Sequence, residues 1–448
     1  SDAATVARIH AATGGNSYAV EEAVRQEVRR VATDRLAGSL HDASTTSDGL
    51  ARATETAAEY VLAVQRSRRV DVVPAVVREL DPEGTPPAPV ACPYLGLARF
   101  EPEDAVWFHG RERLTAELLA RLGVHRFAGV VGASGSGKSS LVRAGLLAAL
   151  REGALPGSEN WPCVVLAPNR DPIEELARAL AAPCGMSAPE VRSRLEAGVP
   201  AFTLLLREAA AASSDSARFV LLVDQFEELF TVCSDADERA LFTELLTGAV
   251  ADPDSPLSVV VAIRADYYGR CAEYVDLAAL LTASMLVGTM ERDELRRAIE
   301  EPARIAGVVL EPGLVERIFL DVGDEPGTLP LLAAALVGTW ERRRGVTLTA
   351  AAYEQAGGVR GAVARLAEDS YERLSVDQQP IARDIFVRLA EPGQGSDDVR
   401  RRAPLDELLI DDAHTEVLAT LVESRLVVTG EHTAEVAHEA LLREWPRL

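Results

Sequence analysis

The stretch Arg126-Phe-Ala-Gly-Val-Val-Gly132-Ala-Ser-Gly-Ser-Gly-Lys138-Ser139-Ser140 decides how the rest of the chain is read. Phe127 to Val131 is a short apolar run, as in a strand buried on both faces, and the residues from Lys138 to Leu150 have the spacing of an amphipathic helix. Gly132, Gly135 and Gly137 punctuate the turn between them. Consecutive backbone N–H groups in such a turn can wrap an anion, and the following helix adds the positive end of its dipole. Lys138 would neutralise β- and γ-phosphate oxygens, flanked by Ser136 and Ser140, and the Ser139 hydroxyl would ligate Mg²⁺. Lys138 is the only lysine in the chain; every other basic residue is arginine. A compact ammonium on a flexible stem enters a phosphate cradle where a planar guanidinium does not fit.

A glycine-rich strand-to-helix turn can bind nothing, but the full pattern here is a Walker A motif in its required context. Its partner lies further on. Phe219-Val-Leu-Leu-Val223 is uniformly apolar and ends in Asp224, 85 positions beyond Ser139. An acid at the carboxyl edge of a buried strand can hold Mg²⁺, and in this order it reads as Walker B. Glu227 and Glu228 follow in the turn Gln225-Phe-Glu-Glu228, and either could activate a water molecule, with Glu228 preferred. The apolar strand Ser258 to Ile263 ends in Arg264, whose fork suits phosphate oxygens. An ion pair with Asp224 or Asp266 is the plainer role for it. Cys163 to Leu166 and Ser284 to Thr289 complete five strands, alternating with helices at Pro172 to Leu180 and Phe202 to Ala212. That rhythm predicts a parallel doubly wound α/β sheet.

Composition limits what this site can belong to. The 448 residues suggest about three domains. No window approaches the roughly 20 apolar residues of a membrane span, and the N-terminus lacks the order of a secretory signal, which points to the cytoplasm without membrane partners. The cysteines Cys92, Cys163, Cys184, Cys233 and Cys271 show no metal-binding spacing and read as small apolar residues. A net charge of −23 opposes general attraction to nucleic acid.

Residues 1–80 read as a helical effector or adaptor domain, and the Pro- and Gly-rich residues 81–92 as a linker. A helix-turn-helix DNA reader around Gly14-Gly15-Asn16, with Arg25, Arg29, Arg30 and Arg35 on phosphates, competes with a plain interaction module. Glu21, Glu22, Glu27 and Asp34 among those arginines favour the module. Residues 93–290 form the nucleotide domain. In its turn Phe108-His-Gly110-Arg111-Glu112, Phe108 could cover a purine while Gly110 and Arg111 bring backbone close; ordinary core packing is the alternative. From Glu291 helices take over, giving a helical lid over 291–360 with Pro326-Gly-Thr-Leu-Pro330 inside it, Pro330 starting a helix at its first position. Residues 361–448 combine helices with a hairpin, Leu426 to Thr429 and Ala434 to Ala437, as in a winged helix. His438 follows the second strand.

Taken together, Pro93-Tyr-Leu-Gly-Leu97, Phe108 to Glu112, Gly132 to Ser140, Asp224 to Phe230, Gly327 to Pro330 and His438 to Trp445 resemble the first class of novel STAND NTPases, across residues 92–448. The resemblance implies an ASCE-type P-loop sheet, a helical lid and a winged helix, with ATP/ADP and Mg²⁺ as cofactors. By likeness to the family, the Phe108 to Arg111 turn clamps the adenine side, Arg264 senses the γ-phosphate, and Pro330 and His438 touch the nucleotide. Such proteins are slow ATPases that act as signalling switches, closed with ADP and oligomerising with ATP, often in bacterial defence or regulation. Effectors or triggers would bind the N-terminal domain and sensor repeats beyond this chain. A DNA-binding regulator driven by the same switch, and a turnover ATPase that remodels proteins, are the competing readings. Many related ATPases place an acid directly after the Walker B aspartate; Gln225 stands there, so hydrolysis falls to Glu227 or Glu228, or is slow.

Overall fold

The computed structural model describes residue 26 and residues 29–40, 47–78, 91–213, 218–323, 327–391, 399–424, 426–429, 433–437 and 440–448. The Gly14-Gly15-Asn16 turn, the linker prolines, Pro326 and His438 lie outside the described residues. The chain forms two compact units. One holds the described residues up to Asp71, Glu101–Gly132 and Lys138–Val287; the other holds Val72–Phe100, Ala133–Gly137 and Gly288–Leu448.

The first unit is built on a five-stranded parallel sheet: β1 (Phe127–Gly132), β2 (Cys163–Leu166), β3 (Phe219–Val223), β4 (Leu257–Arg264) and β5 (Met285–Val287), in the order β2-β3-β4-β1-β5. Every residue of β1 and β3 is buried, as expected of parallel strands covered by helices on both faces. β4 therefore separates the strand that leads into the glycine turn from the strand that ends in Asp224, and its register sets Gly132 opposite Arg264. Phe202, Phe219, Phe226 and Phe242 fill the core on one side of the sheet.

Helix Pro172–Cys184 starts where the Asp171 side chain accepts from the Glu174 N–H and stops at Gly185, a cap at each end. Helix Ala188–Glu196 was not expected from the apolar spacing; the Ser187/Glu190 capping box was the signal that could have found it. The helix entered from the glycine turn is wide. It runs α over Lys138–Ser140, π over Leu141–Leu147 and α again over Ala148–Arg151. The N-terminal helix over 29–40 and helix Ser47–Arg78 as far as Asp71 belong to this unit, and Tyr60 and Thr33 hydroxyls donate to the carbonyls of Glu152 and Gly153 at the end of the helix that follows the glycine turn.

The second unit is mainly helical. Arg292–Ile305, Leu314–Val322, Leu329–Glu341, Gly358–Arg373 and Gln378–Arg388 are its longer helices before Leu389. The Tyr94 hydroxyl donates to the Ile299 carbonyl at 2.9 Å, tying the Pro93-Tyr-Leu segment to the first of them. Further on, helix Asp412–Glu423 leads into strand Val427–Thr429, which pairs antiparallel with Thr433–Val436. A third strand that the sequence reading did not anticipate, Ala403–Pro404, closes that sheet on the other side. Trp445 packs edge-on against Phe386 and Tyr371 while its indole N–H donates to Glu368 at 2.8 Å.

Candidate nucleotide site

β1 delivers its glycine turn at the carboxyl edge of the sheet, the end from which β3 and β4 also release their last residues. Gly135 and Gly137 take φ of 71° and 90°, a left-handed backbone that only glycine adopts without strain, and Ser136 N–H closes on the Ala133 carbonyl. Lys138 is nearly buried and its ammonium donates to the Gly132 carbonyl at 3.0 Å, folded back over its own loop. Burial pulls its pKa below the ordinary lysine value, against the opposing pull of Glu227 and then Asp224.

Asp224 is 1% exposed. The Ser139 hydroxyl donates to its Oδ1 at 2.8 Å, the Gln225 N–H to the same oxygen at 3.0 Å, and Arg143 Nε to Oδ2 at 3.1 Å. Arg143 also reaches Glu101 through Nη1 at 3.0 Å. Burial works against its charge, but the Asp224 and Glu101 carboxylates more than offset that and raise its pKa. Arg143 was missed by the sequence reading, because an arginine one helical turn beyond a Walker A motif has no signature of its own.

Gln225 adopts φ of 52°, rare for a residue with a side chain. The chain thereby turns sharply after Asp224, and the Phe226 N–H reaches the Ala262 carbonyl on β4. The turn delivers Glu227 to the end of β4, where its Oε2 accepts from the Arg264 N–H at 3.2 Å. Glu227 is the carboxylate that acts most strongly on Lys138. Glu228 is buried as well and opens the short helix Glu228–Thr231. Arg264 points its guanidinium at Asp266, with Nε and Nη2 at 3.1 and 2.8 Å from the two oxygens.

In the turn Phe108 to Glu112, Gly110 has φ of 90° and its N–H donates to Glu112 at 2.9 Å, while Arg111 is buried. Phe108 is 8% exposed and lines a pocket with Tyr60, Val64, Thr115 and Gly145, and the Gln65 amide donates to its carbonyl at 3.2 Å. In the second unit, helix Leu329–Glu341 has Pro330 as its second residue, where the sequence reading put it at the first position. A helix has no intrahelical acceptor for that position's N–H either, so proline costs nothing there. Gly327, at φ of 84°, passes so close to the Ser134 carbonyl that a Cβ would sit 3.2 Å from it.

No group of three or more His, Cys, Asp or Glu side chains forms a metal cage among the described residues. Ser139 and Asp224 do offer the hard oxygens that Mg²⁺ takes alongside phosphates and water. Burial pushes the thiols of Cys163 and Cys184 up to about 11 and that of Cys271 to about 12, which removes them as nucleophiles near neutral pH. Among the described residues no helix is long and apolar enough to cross a membrane.

The family model for Novel STAND NTPase 1 matches residues 93–448. The chain belongs to that family. Among solved structures, this STAND NTPase is similar to a Walker-type ATPase of Pyrococcus abyssi (15% identity, covering 77% of this chain and 97% of that one, TM-score 0.40). It is similar also to the ORC2 protein of Aeropyrum pernix in its ADPNP–ADP complexes (15% identity, 73% and 89%, TM-score 0.44). A third such structure is the Cdc6p of Pyrobaculum aerophilum (14% identity, 74% and 90%, TM-score 0.35). No curated protein matches this STAND NTPase in sequence.

Proposed function

We propose that this STAND NTPase is an ATP/ADP-controlled signalling switch that hydrolyses ATP slowly with Mg²⁺. The observation that carries the reading is the contact of Ser139 with the buried Asp224 at 2.8 Å, directly beside the only lysine of the chain. Ser139 and Asp224 would hold Mg²⁺, which when bound offsets phosphate charge. Lys138 swings from the Gly132 carbonyl to the phosphates, and the N–H groups of Gly132 to Ser140 bind them. Glu227, oriented by the Arg264 N–H and close to Lys138, is the residue we assign to orienting the attacking water, ahead of Glu228. With Gln225 in the position directly after Asp224, turnover is slow and the bound state lasts, as a switch requires.

In this reading Phe108, Gly110 and Arg111 flank the base, Arg264 meets the γ-phosphate, and Pro330 and His438 bring the lid and the winged helix to the nucleotide. The ADP form is a closed monomer, and the ATP form oligomerises to pass a signal to a protein partner in defence or regulation. Nucleotide released by denaturing the purified protein should be ADP. Light scattering should give a monomer that enlarges with ATP and Mg²⁺, and turnover should stay well below about 10 per second. A nucleotide-free protein whose size ignores ATP, or one that turns over at ordinary enzyme rates, defeats the switch.

A further inference from the structure

Asp224 is the most deeply buried carboxylate at the sheet edge, and a buried carboxylate is tolerated only with donors and a counter-charge. Its donors divide by oxygen. Oδ1 takes Ser139 and the Gln225 N–H, whereas Arg143 holds Oδ2. The Arg143 side chain is 13% exposed and is fixed from its other side by Glu101, whose side chain is 38% exposed. One guanidinium thus spans two carboxylates of opposite burial, from the π-helical stretch that follows the phosphate loop.

We propose that Arg143 is the positioning residue of the metal acid: by holding Asp224 through Oδ2 as a built-in counter-charge, it sets how strongly nucleotide affinity depends on Mg²⁺. Arginine keeps its charge at any working pH, so the counter-charge is permanent. With it, the phosphates meet a carboxylate already half-neutralised, and nucleotide binds appreciably before metal. Without it, Asp224 repels the phosphates and attracts a divalent cation, and binding depends more strongly on metal. Glu101 acts in the opposite sense, because it draws Arg143 away from Asp224. Removing its charge leaves the guanidinium more fully on the metal acid.

The proposal rests on the nucleotide and Mg²⁺ reading above and is tested on the full chain by calorimetric titration of ADP, once with Mg²⁺ and once with EDTA. The quantity read is the ratio of the two dissociation constants. Arg143→Gln should raise that ratio roughly tenfold, by weakening the metal-free affinity. Arg143→Lys should return most of it. Glu101→Gln should move the ratio the other way by roughly threefold. Arg143 acting only as a structural pin would weaken ADP equally with and without metal in both variants, and a ratio unchanged in both, or shifted in the same direction by both, overturns the proposal. Should Arg143→Gln fail to fold, the direction of the Glu101→Gln shift decides alone. A wild-type affinity that ignores Mg²⁺ would instead defeat the metal reading itself, a result distinct from a metal dependence that neither variant moves.

Discussion

β3 and β4 lie side by side in the sheet, and each releases a charged residue at the same edge, yet the two ends are built in opposite ways. Asp224 after β3 is 1% exposed and takes three donors from the phosphate loop helix and its own turn. Arg264 at the end of β4, its own side chain 18% exposed, is paired with an aspartate whose side chain is 55% exposed. A buried, fully donated carboxylate cannot move without leaving unsatisfied groups behind. An ion pair whose carboxylate lies in solvent is worth only about 1 kcal/mol and can be exchanged for a better partner. In the proposed switch, the Asp224 end is the fixture for metal and the Arg264 end is the cation that an incoming phosphate recruits from Asp266. A site that must tell triphosphate from diphosphate needs both kinds of group.

Glu227 joins the two ends, since it follows Asp224 in the turn and accepts from the Arg264 N–H. The largest effect is therefore expected there. Glu227→Gln should lower turnover by about 10²–10⁴-fold while leaving ADP affinity close to wild type, whereas Glu228→Gln should leave most of the turnover intact. Single-turnover rates of the two variants check this, and equal losses in both would show that the turn does not single out Glu227.

Next in size is Lys138→Ala. A charge-assisted contact of about 1.5–3 kcal/mol is lost, which is roughly a ten- to hundredfold loss of affinity for ATP and ADP alike. Calorimetry that finds both nucleotides bound as tightly as by the wild type would remove the phosphate cradle from the account.

The fixed side was readable in the residues because it is local. Phe127 to Ser140 is one strand, one turn and one helix, and Phe219 to Asp224 is an apolar strand with an acid at its end, so spacing and residue type carry both. The partners of Arg143 were not readable. Its contacts with Asp224 and Glu101 join positions 81 and 42 apart in the chain, and nothing in the composition of those segments marks them as neighbours. The order of the strands was hidden for the same reason, since five apolar runs do not say that β4 inserts between β1 and β3. Glu227 and Glu228 are alike in type, and the sequence reading preferred Glu228; the structure is what sets the Glu227 carboxylate against the Arg264 N–H. The choice of Asp266 over Asp224 as the partner of Arg264 likewise needed the strand end to be built first.

The smallest effect tests the recruitable end directly. If Arg264 leaves Asp266 for the γ-phosphate, then Arg264→Ala should cost ATP a contact that ADP never makes, lowering the preference for ATP over ADP by at most about tenfold. Asp266→Asn should do the reverse. It removes the competing carboxylate, and since an exposed pair holds back no more than about 1 kcal/mol, the preference for ATP should rise by no more than about fivefold. That gain should shrink in high salt, because an exposed pair is already screened there and its removal releases less. The measurement is a competition titration of the two nucleotides, with Mg²⁺, at low and high ionic strength. Opposite shifts in the two variants identify Arg264 as the group that reads the third phosphate. A preference that neither substitution changes would leave Arg264 and Asp266 as a surface ion pair, and the discrimination would have to come from the fixed side of the site instead.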